Sequence, residues 1–333
     1  MANLYLTEQG SVLCKTGDRL IVRKEGEVLL DVQCNKINAV LIFGNVQITT
    51  QAVHELFKCG IELALLTRTG RLVGQLTSPA TKNIELRVEQ FKRYDDETFK
   101  LELSKTIVNG KLTNCLTLLR DFYHNHPNID LTGEIAGIEA AMKNVPSAES
   151  LDSLRGFEGS AAQTYFKGFG RMLLGDSFTF EGRRKHPSTD PVNSLLSFGY
   201  TLIFNEISSL LDGLGFDPYL GYFHQVDYGR ASLASDIQEE FRASIDRFTL
   251  YLINNRILNP EDFYSNEKDG SVYLKREAMK RYFAEYETYL KREFKHPHTG
   301  ENTTLRKCFR IQAERLANGI KGENTYTPFL LQT

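Results

Sequence analysis

The chain has 333 residues, with 40 Lys and Arg against 42 Asp and Glu, a formal charge of −2. Apolar residues make up 41% and charged residues 25%, the proportions of a folded globular protein rather than a disordered or fibrous one, and the length suits two domains. The apolar run 39–43 is far shorter than the ~20 residues of a membrane span, and Glu8, Lys15, Asp18 and Arg19 come too early for a signal peptide, so a cytoplasmic protein without a membrane partner is expected.

Residues 1–80 read as strands. The runs 19–23 and 27–32 are separated by turn signals at Gly17-Asp18 and Glu25-Gly26. After the apolar run comes a short helix over 50–59 ending at Gly60, then a strand over 61–66 and a hairpin turning at Thr69-Gly70. This predicts a small, mostly antiparallel β domain. Past Ser78-Pro79 the apolar spacing changes from 2 to 3–4, as at Val88, Phe91 and Tyr94, then Phe99, Leu103 and Ile107. The expectation is an α+β multidomain chain: a β domain over 1–80, a linker over 81–90, and an all-α domain over 91–333 containing seven to ten helices.

Cys14, Cys34, Cys59, Cys115 and Cys308 are odd in number, scattered and without a CxxC pair, which suggests neither a disulfide framework nor a structural zinc site. Cys34 and Cys59 lie in or beside apolar segments, where a free thiol acts as a small hydrophobe.

Four stretches could carry chemistry. In Arg155-Gly156-Phe157-Glu158-Gly159 two glycines flank an acid inside a helical pattern, each costing about 1 kcal/mol relative to Ala, and they suggest close approach by a helix or a ligand. Gly221-Tyr222-Phe223-His224 ends an aromatic run on an imidazole, which by itself reads as a core histidine. Over 232–242, Leu233, Ile237 and Phe241 begin an apolar stripe continued by Phe248 and Leu252, and Asp236, Glu239 and Glu240 fall along one edge of it. Carboxylates at i, i+3 and i+4 repel unless a positive charge sits among them, and a hard divalent cation would supply it. Arg230 and Arg242 are the alternative counter-charges.

The fourth feature is basic. Lys167, Arg171, Arg183, Arg184, Lys185 and His186 cluster ahead of a Pro-rich turn. Residues 275–321 hold twelve Lys and Arg against six Asp and Glu, interleaved with Tyr273, Tyr282, Tyr286, Tyr289 and Phe294, a pattern suited to phosphate backbones. The overall charge of −2 therefore averages unlike parts, and it does not exclude nucleic acid.

Arg155-Gly156-Phe157-Glu158-Gly159, the segment from Asp190-Pro191-Val192-Asn193 to Tyr200, Gly221-Tyr222-Phe223-His224 and the segment from Ser232 to Arg242 occur in that order. Together they resemble the CRISPR-associated adaptation integrase family, over essentially the whole chain. The resemblance implies a metal-dependent DNA endonuclease and integrase that inserts new spacers into CRISPR arrays by 3′-hydroxyl attack on a phosphodiester. It implies Mn²⁺ or Mg²⁺ held by Glu158, His224 and Glu239 as catalytic ligands, with Asp236, Glu240 and Asn193 supporting the site. Arg171, Arg183, Arg184, Lys185, Arg230 and Arg242 are then candidates for DNA contact. It also implies a homodimer assembled through the β domain and a small ferredoxin-like CRISPR-associated adaptation protein as partner. Many members carry Leu and Pro where this chain has Ser235 and Ala243, neither of them a ligand. The competing reading is a non-catalytic DNA-binding scaffold whose acids merely balance basic helices.

Overall fold

A computed structural model describes residues 2–76, 83–184, 187–296 and 298–332. It divides into two compact units, Met1–Ala80 with Phe283–Glu287, and Thr81–Tyr282 with Thr288–Thr333.

The first unit contains β1 (Ala2–Leu6), β2 (Val12–Thr16), β3 (Arg19–Lys24), β4 (Glu27–Gln33), β5 (Ile37–Phe43), β6 (Gln47–Ile48), α1 (Thr50–Lys58), β7 (Glu62–Leu66) and β8 (Leu72–Leu76). They form two four-stranded sheets, ordered β1-β5-β7-β8 and β4-β3-β2-β6. The β-then-α order of the chain is as expected, but pairing in this unit is evenly divided. β1–β5, β5–β7 and β2–β6 are parallel, while β2–β3, β3–β4 and β7–β8 are antiparallel. The inserted helix accounts for one of them: α1 carries the chain across from β5 to β7, a crossover that makes that pair parallel where a tight hairpin makes strands antiparallel. Thr49 caps α1 by accepting from the Ala52 N–H, and Gly60 leaves the helix at φ +66°. Leu13, Leu20, Val40, Ile42, Leu56 and Leu63 fill the core of this unit, joined by Cys34.

The second unit contains α2 (Ile84–Tyr94), α3 (Glu97–Asn125), α4 (Thr132–Asn144), α5 (Leu151–Arg171), α6 (Pro191–Leu214), α7 (Ser232–Gln238), α8 (Arg242–Asn254), the hairpin of β9 (Phe263–Ser265) and β10 (Val272–Leu274), α9 (Arg276–Lys291) apart from its residues Phe283–Glu287, the hairpin of β11 (Glu293–Lys295) and β12 (Asn302–Thr304), and α10 (Leu305–Ile320). α6 is its central helix, with Val192, Leu195, Leu202, Ile203, Ile207 and Leu211 fully buried. Its ends follow from local chemistry: Asp190 caps it, Pro191 takes the first turn, and Gly215 leaves it at φ +102°. Residues 84–90, read as linker, lie within α2. Gln90 is fully buried there and donates to the Asp217 and Leu220 carbonyls of the same unit.

The apolar stripe of Leu233, Ile237, Phe241, Phe248 and Leu252 is fully buried, but it is not one helix. A 3₁₀ turn over Glu239–Phe241 separates α7 from α8. The aromatic interleaving of α9 also has a different role from the one expected. Tyr282 and Tyr286 are fully buried, so they form the apolar stripe of an amphipathic helix rather than part of a basic surface. No described helix is long and apolar enough to cross a membrane.

Candidate active site

Two carboxylates from distant parts of the chain meet at one cation. Lys111, midway along α3, pairs with Glu158 of α5 and places Nζ 2.6 Å from Glu239 Oε2 at the 3₁₀ turn. All three side chains are largely buried. Burial by itself would lower the Lys111 pKa, but the charges of Glu239 and Glu158 outweigh it and hold the ammonium protonated. Burial likewise opposes ionisation of Glu239, and Arg242, Lys111 and His224 overcome it, holding this carboxyl well below its ordinary range. Glu239 Oε2 is buried and receives no aligned hydrogen bond, although Lys111 lies close, so this acceptor is not saturated by the protein.

His224 completes the group from the loop between α6 and α7. Asp236, fully buried on α7, accepts from the backbone N–H groups of Tyr222, Phe223 and His224 and contacts His224 Nδ1 at 2.7 Å. A carboxylate that accepts three backbone donors fixes the loop, and it makes Nδ1 the protonated nitrogen of the ring. Nε2 then points inward, 3.7 Å from Glu239 Oε1. Gly221 is needed for this seating, because a Cβ there would come within 2.7 Å of Ser232 and 2.9 Å of Asp236 Oδ2.

A cationic wall faces the acids. Arg242 Nε lies 3.0 Å from Glu239 Oε1, and its guanidinium sits over the Tyr200 ring at 4.6 Å. Arg183 approaches the same ring at 5.4 Å. Below them Asp246 accepts from Tyr165 and Tyr200, and burial raises its carboxyl to about 6. Lys111, Glu158, His224, Glu239, Arg183, Arg184 and Arg242 all line one cavity of about 1070 Å³.

Of the remaining sequence candidates, Arg184 and Arg242 line this cavity. Asn193 supports its wall indirectly: its Oδ1 accepts from Arg183 Nη1 and the Arg184 N–H, and its amide donates to Gly182 and Asp190. Glu240 does not join Asp236 and Glu239. Its carboxylate turns the other way, accepting from Gln312, Tyr326 and the Phe329 N–H. Arg242, expected among the DNA contacts, is held by Glu239 and Gln238 as an internal counter-charge. Arg171 pairs with buried Glu134, Arg184 with exposed Glu181, and Arg230 is exposed in the histidine loop. Lys185 lies outside the described residues. Gly156 and Gly159 do not serve helix packing, since a Cβ at either would meet nothing within 4 Å.

A family model described as CRISPR associated protein Cas1 matches residues 4–288. The chain belongs to the Cas1 family. It is 36% identical to CRISPR-associated endonuclease Cas1 3 of Thermus thermophilus over 99% of this chain and 97% of that one. A solved Cas6-RT-Cas1--Cas2 complex contains a chain 26% identical to it with a TM-score of 0.83, over 99% of this chain and 36% of that one. A casposase bound to integration product has the same fold, with a TM-score of 0.88 at 21% identity over 99% of this chain and 93% of that one.

For this Cas1-family chain, the residues that sequence reasoning missed are Lys111, Tyr165 and Asp246. Lys111 sits in a 29-residue helix without a motif, 47 positions before Glu158, so no local signal could have found it. Tyr200 closes a segment already singled out by its sequence, and that signal was available.

The oxygen and imidazole donors of Glu158, Glu239 and His224, with one unsaturated carboxylate oxygen, suit a divalent cation such as Mn²⁺ or Mg²⁺. They do not close on a single point. Among the described residues, the group of three Cys, His, Asp or Glu whose ligand atoms lie within 4.8 Å of one another is Cys34, Glu55 and Cys59, in the other unit.

Proposed function

We propose that this chain is a metal-dependent DNA endonuclease and integrase of CRISPR adaptation, in which the 3′-hydroxyl of one DNA strand attacks a phosphodiester of another and displaces that strand's own 3′-hydroxyl. The observation that carries the reading is His224, held by buried Asp236 and facing Glu239, in one cavity with Glu158 and three arginines. Glu158, His224 and Glu239 would hold Mn²⁺ or Mg²⁺, and the ion, when bound, supplies a Lewis acid at the attacked phosphate. Asp236 orients the imidazole. Asn193 holds Arg183, and Arg183 with Arg184 offers charge to a phosphate entering the cavity. The relatives' names support this reading, since they include endonucleases and a casposase bound to integration product.

We further propose that the chain acts as a homodimer through its first unit, residues 1–80, with 91–333 carrying the chemistry. Edge strand β4 leaves Val28 and Leu29 about half exposed, which supports an interface there. A Cas2-type adaptation protein is the expected partner, as in the related complex.

Glu158→Ala, His224→Ala and Glu239→Ala should each abolish Mn²⁺-dependent strand joining on a branched DNA substrate while the purified protein stays folded. The placement of Lys111 between two acids favours one alternative, a DNA-binding scaffold whose carboxylates are balanced internally. DNA binding without strand joining or nicking at any Mn²⁺ concentration would establish that alternative.

A further inference from the structure

We propose that Cys34, Glu55 and Cys59 form a binding site for a thiophilic divalent cation, zinc by its chemistry, in the first unit and separate from the candidate active site. Cys34 opens the turn between β4 and β5, while Glu55 and Cys59 stand one helical turn apart at the end of α1. One Sγ or carboxylate oxygen from each residue lies within 4.8 Å of the other two. Tetrahedral zinc, with Zn–S near 2.3 Å and Zn–O near 2.1 Å, sets its ligand atoms about 3.5–3.8 Å apart. Cys59 Sγ and Glu55 Oε1 are already 3.6 Å apart.

The surroundings favour zinc over a hard cation. Lys15 Nζ holds the other oxygen of Glu55 at 2.6 Å, which orients the carboxylate and leaves Oε1 facing the thiols. Two thiolates, one carboxylate, the Lys15 ammonium and Zn²⁺ sum to zero charge. Two sulfur ligands select zinc, in contrast to the oxygen and nitrogen donors near Lys111. Cys34 and Glu55 are buried and Cys59 is exposed, so a cation can enter from the Cys59 side, with water as fourth ligand. Bound zinc would tie the β4–β5 turn to the end of α1 and stabilise this unit. The spacing of the cysteines gives no sign of the site, because a 3₁₀ turn and a helix end bring them together.

The test uses the full chain, reduced with a phosphine, incubated with one equivalent of zinc chloride, desalted and analysed by elemental mass spectrometry. Wild type, Cys14→Ser and His224→Ala should each retain one zinc per chain, and Cys34→Ser and Cys59→Ser should retain at least about tenfold less. Cys59→Ser alters an exposed side chain, so its thermal unfolding in zinc-free buffer should match wild type. Added zinc should raise the melting temperature of wild type and not of Cys59→Ser. The proposal is overturned if reduced wild type retains no zinc, if Cys59→Ser retains as much as wild type, or if His224→Ala removes the bound zinc.

Discussion

Lys111 stands between Glu158 and Glu239, and among the described residues only Glu239 has a second cation, Arg242, beside it. Removing a partner from a buried pair costs more than the pair itself contributes, because it leaves a charge desolvated and uncompensated. Lys111→Ala should therefore lower the unfolding free energy by about 3 kcal/mol in metal-free buffer. If the same carboxylates hold a divalent ion, Mn²⁺ should raise the urea midpoint of Lys111→Ala more than that of wild type. Equal responses would separate Lys111 from the ion. The residues of this centre were unevenly legible. Glu158, His224 and Glu239 stand in recognisable stretches, and burial and contact then gave them distinct surroundings. Asp236 and Glu240 looked like companions of Glu239, but Asp236 holds a loop and Glu240 faces the opposite side. Successive residues of a helix already point about 100° apart, so Glu240 faces away from Glu239 although it is the next residue.

At the scale of elements, α5 and α7 reverse the usual meaning of their glycines and acids. Residues 232–241 are buried on every side, so the polar face that periodicity predicts does not exist, and the acids there point into the protein. On α5, Gly156 and Gly159 face open space next to Glu158. Their cost in helix propensity is not offset by packing. Gly156→Ala should therefore raise stability by up to about 1 kcal/mol, read from thermal unfolding, and a fall would show that the glycine is needed for packing. Gly221→Ala should do the opposite to stability, lowering it by about 2 kcal/mol, because its Cβ would collide with Ser232 and Asp236.

At the scale of the whole molecule, the final residues close the second unit. Phe329 is buried and stacks on Phe241 at 4.8 Å. Asn114 of α3 donates to the Phe329 carbonyl and accepts from the Leu331 N–H. Glu240 anchors the same segment, and burial raises its carboxyl from 4.5 to about 7, even though Tyr326, the Phe329 N–H and Gln312 favour the ionised form. Between those two values the folded state binds the proton more tightly than the unfolded chain. Stability contributed by this group is therefore full below pH 4.5, falls as pH rises to 7, and is level above that. Measured by urea unfolding at pH 5 and pH 8, the stability of wild type relative to Glu240→Gln should fall by about 3 kcal/mol across that interval. A difference independent of pH would show that Glu240 titrates alike in both states.

Overall charge of −2 carries little information about partners, because it averages internally paired acids with basic helices. By itself the sequence determined the order of a β region and a helical region, the ends of α1, and the segments that carry Glu158, His224 and Glu239. Those features depend on local propensity, capping and recurring motifs, which operate over a few residues. Only the tertiary structure decided that half of the strand pairings in the first unit are parallel, that Lys111 stands among the acids, that Glu240 faces the C-terminal segment, and that Cys34 meets Cys59. Each of these rests on contacts between residues far apart in the chain, whose burial and charge take effect only once packing has brought them together.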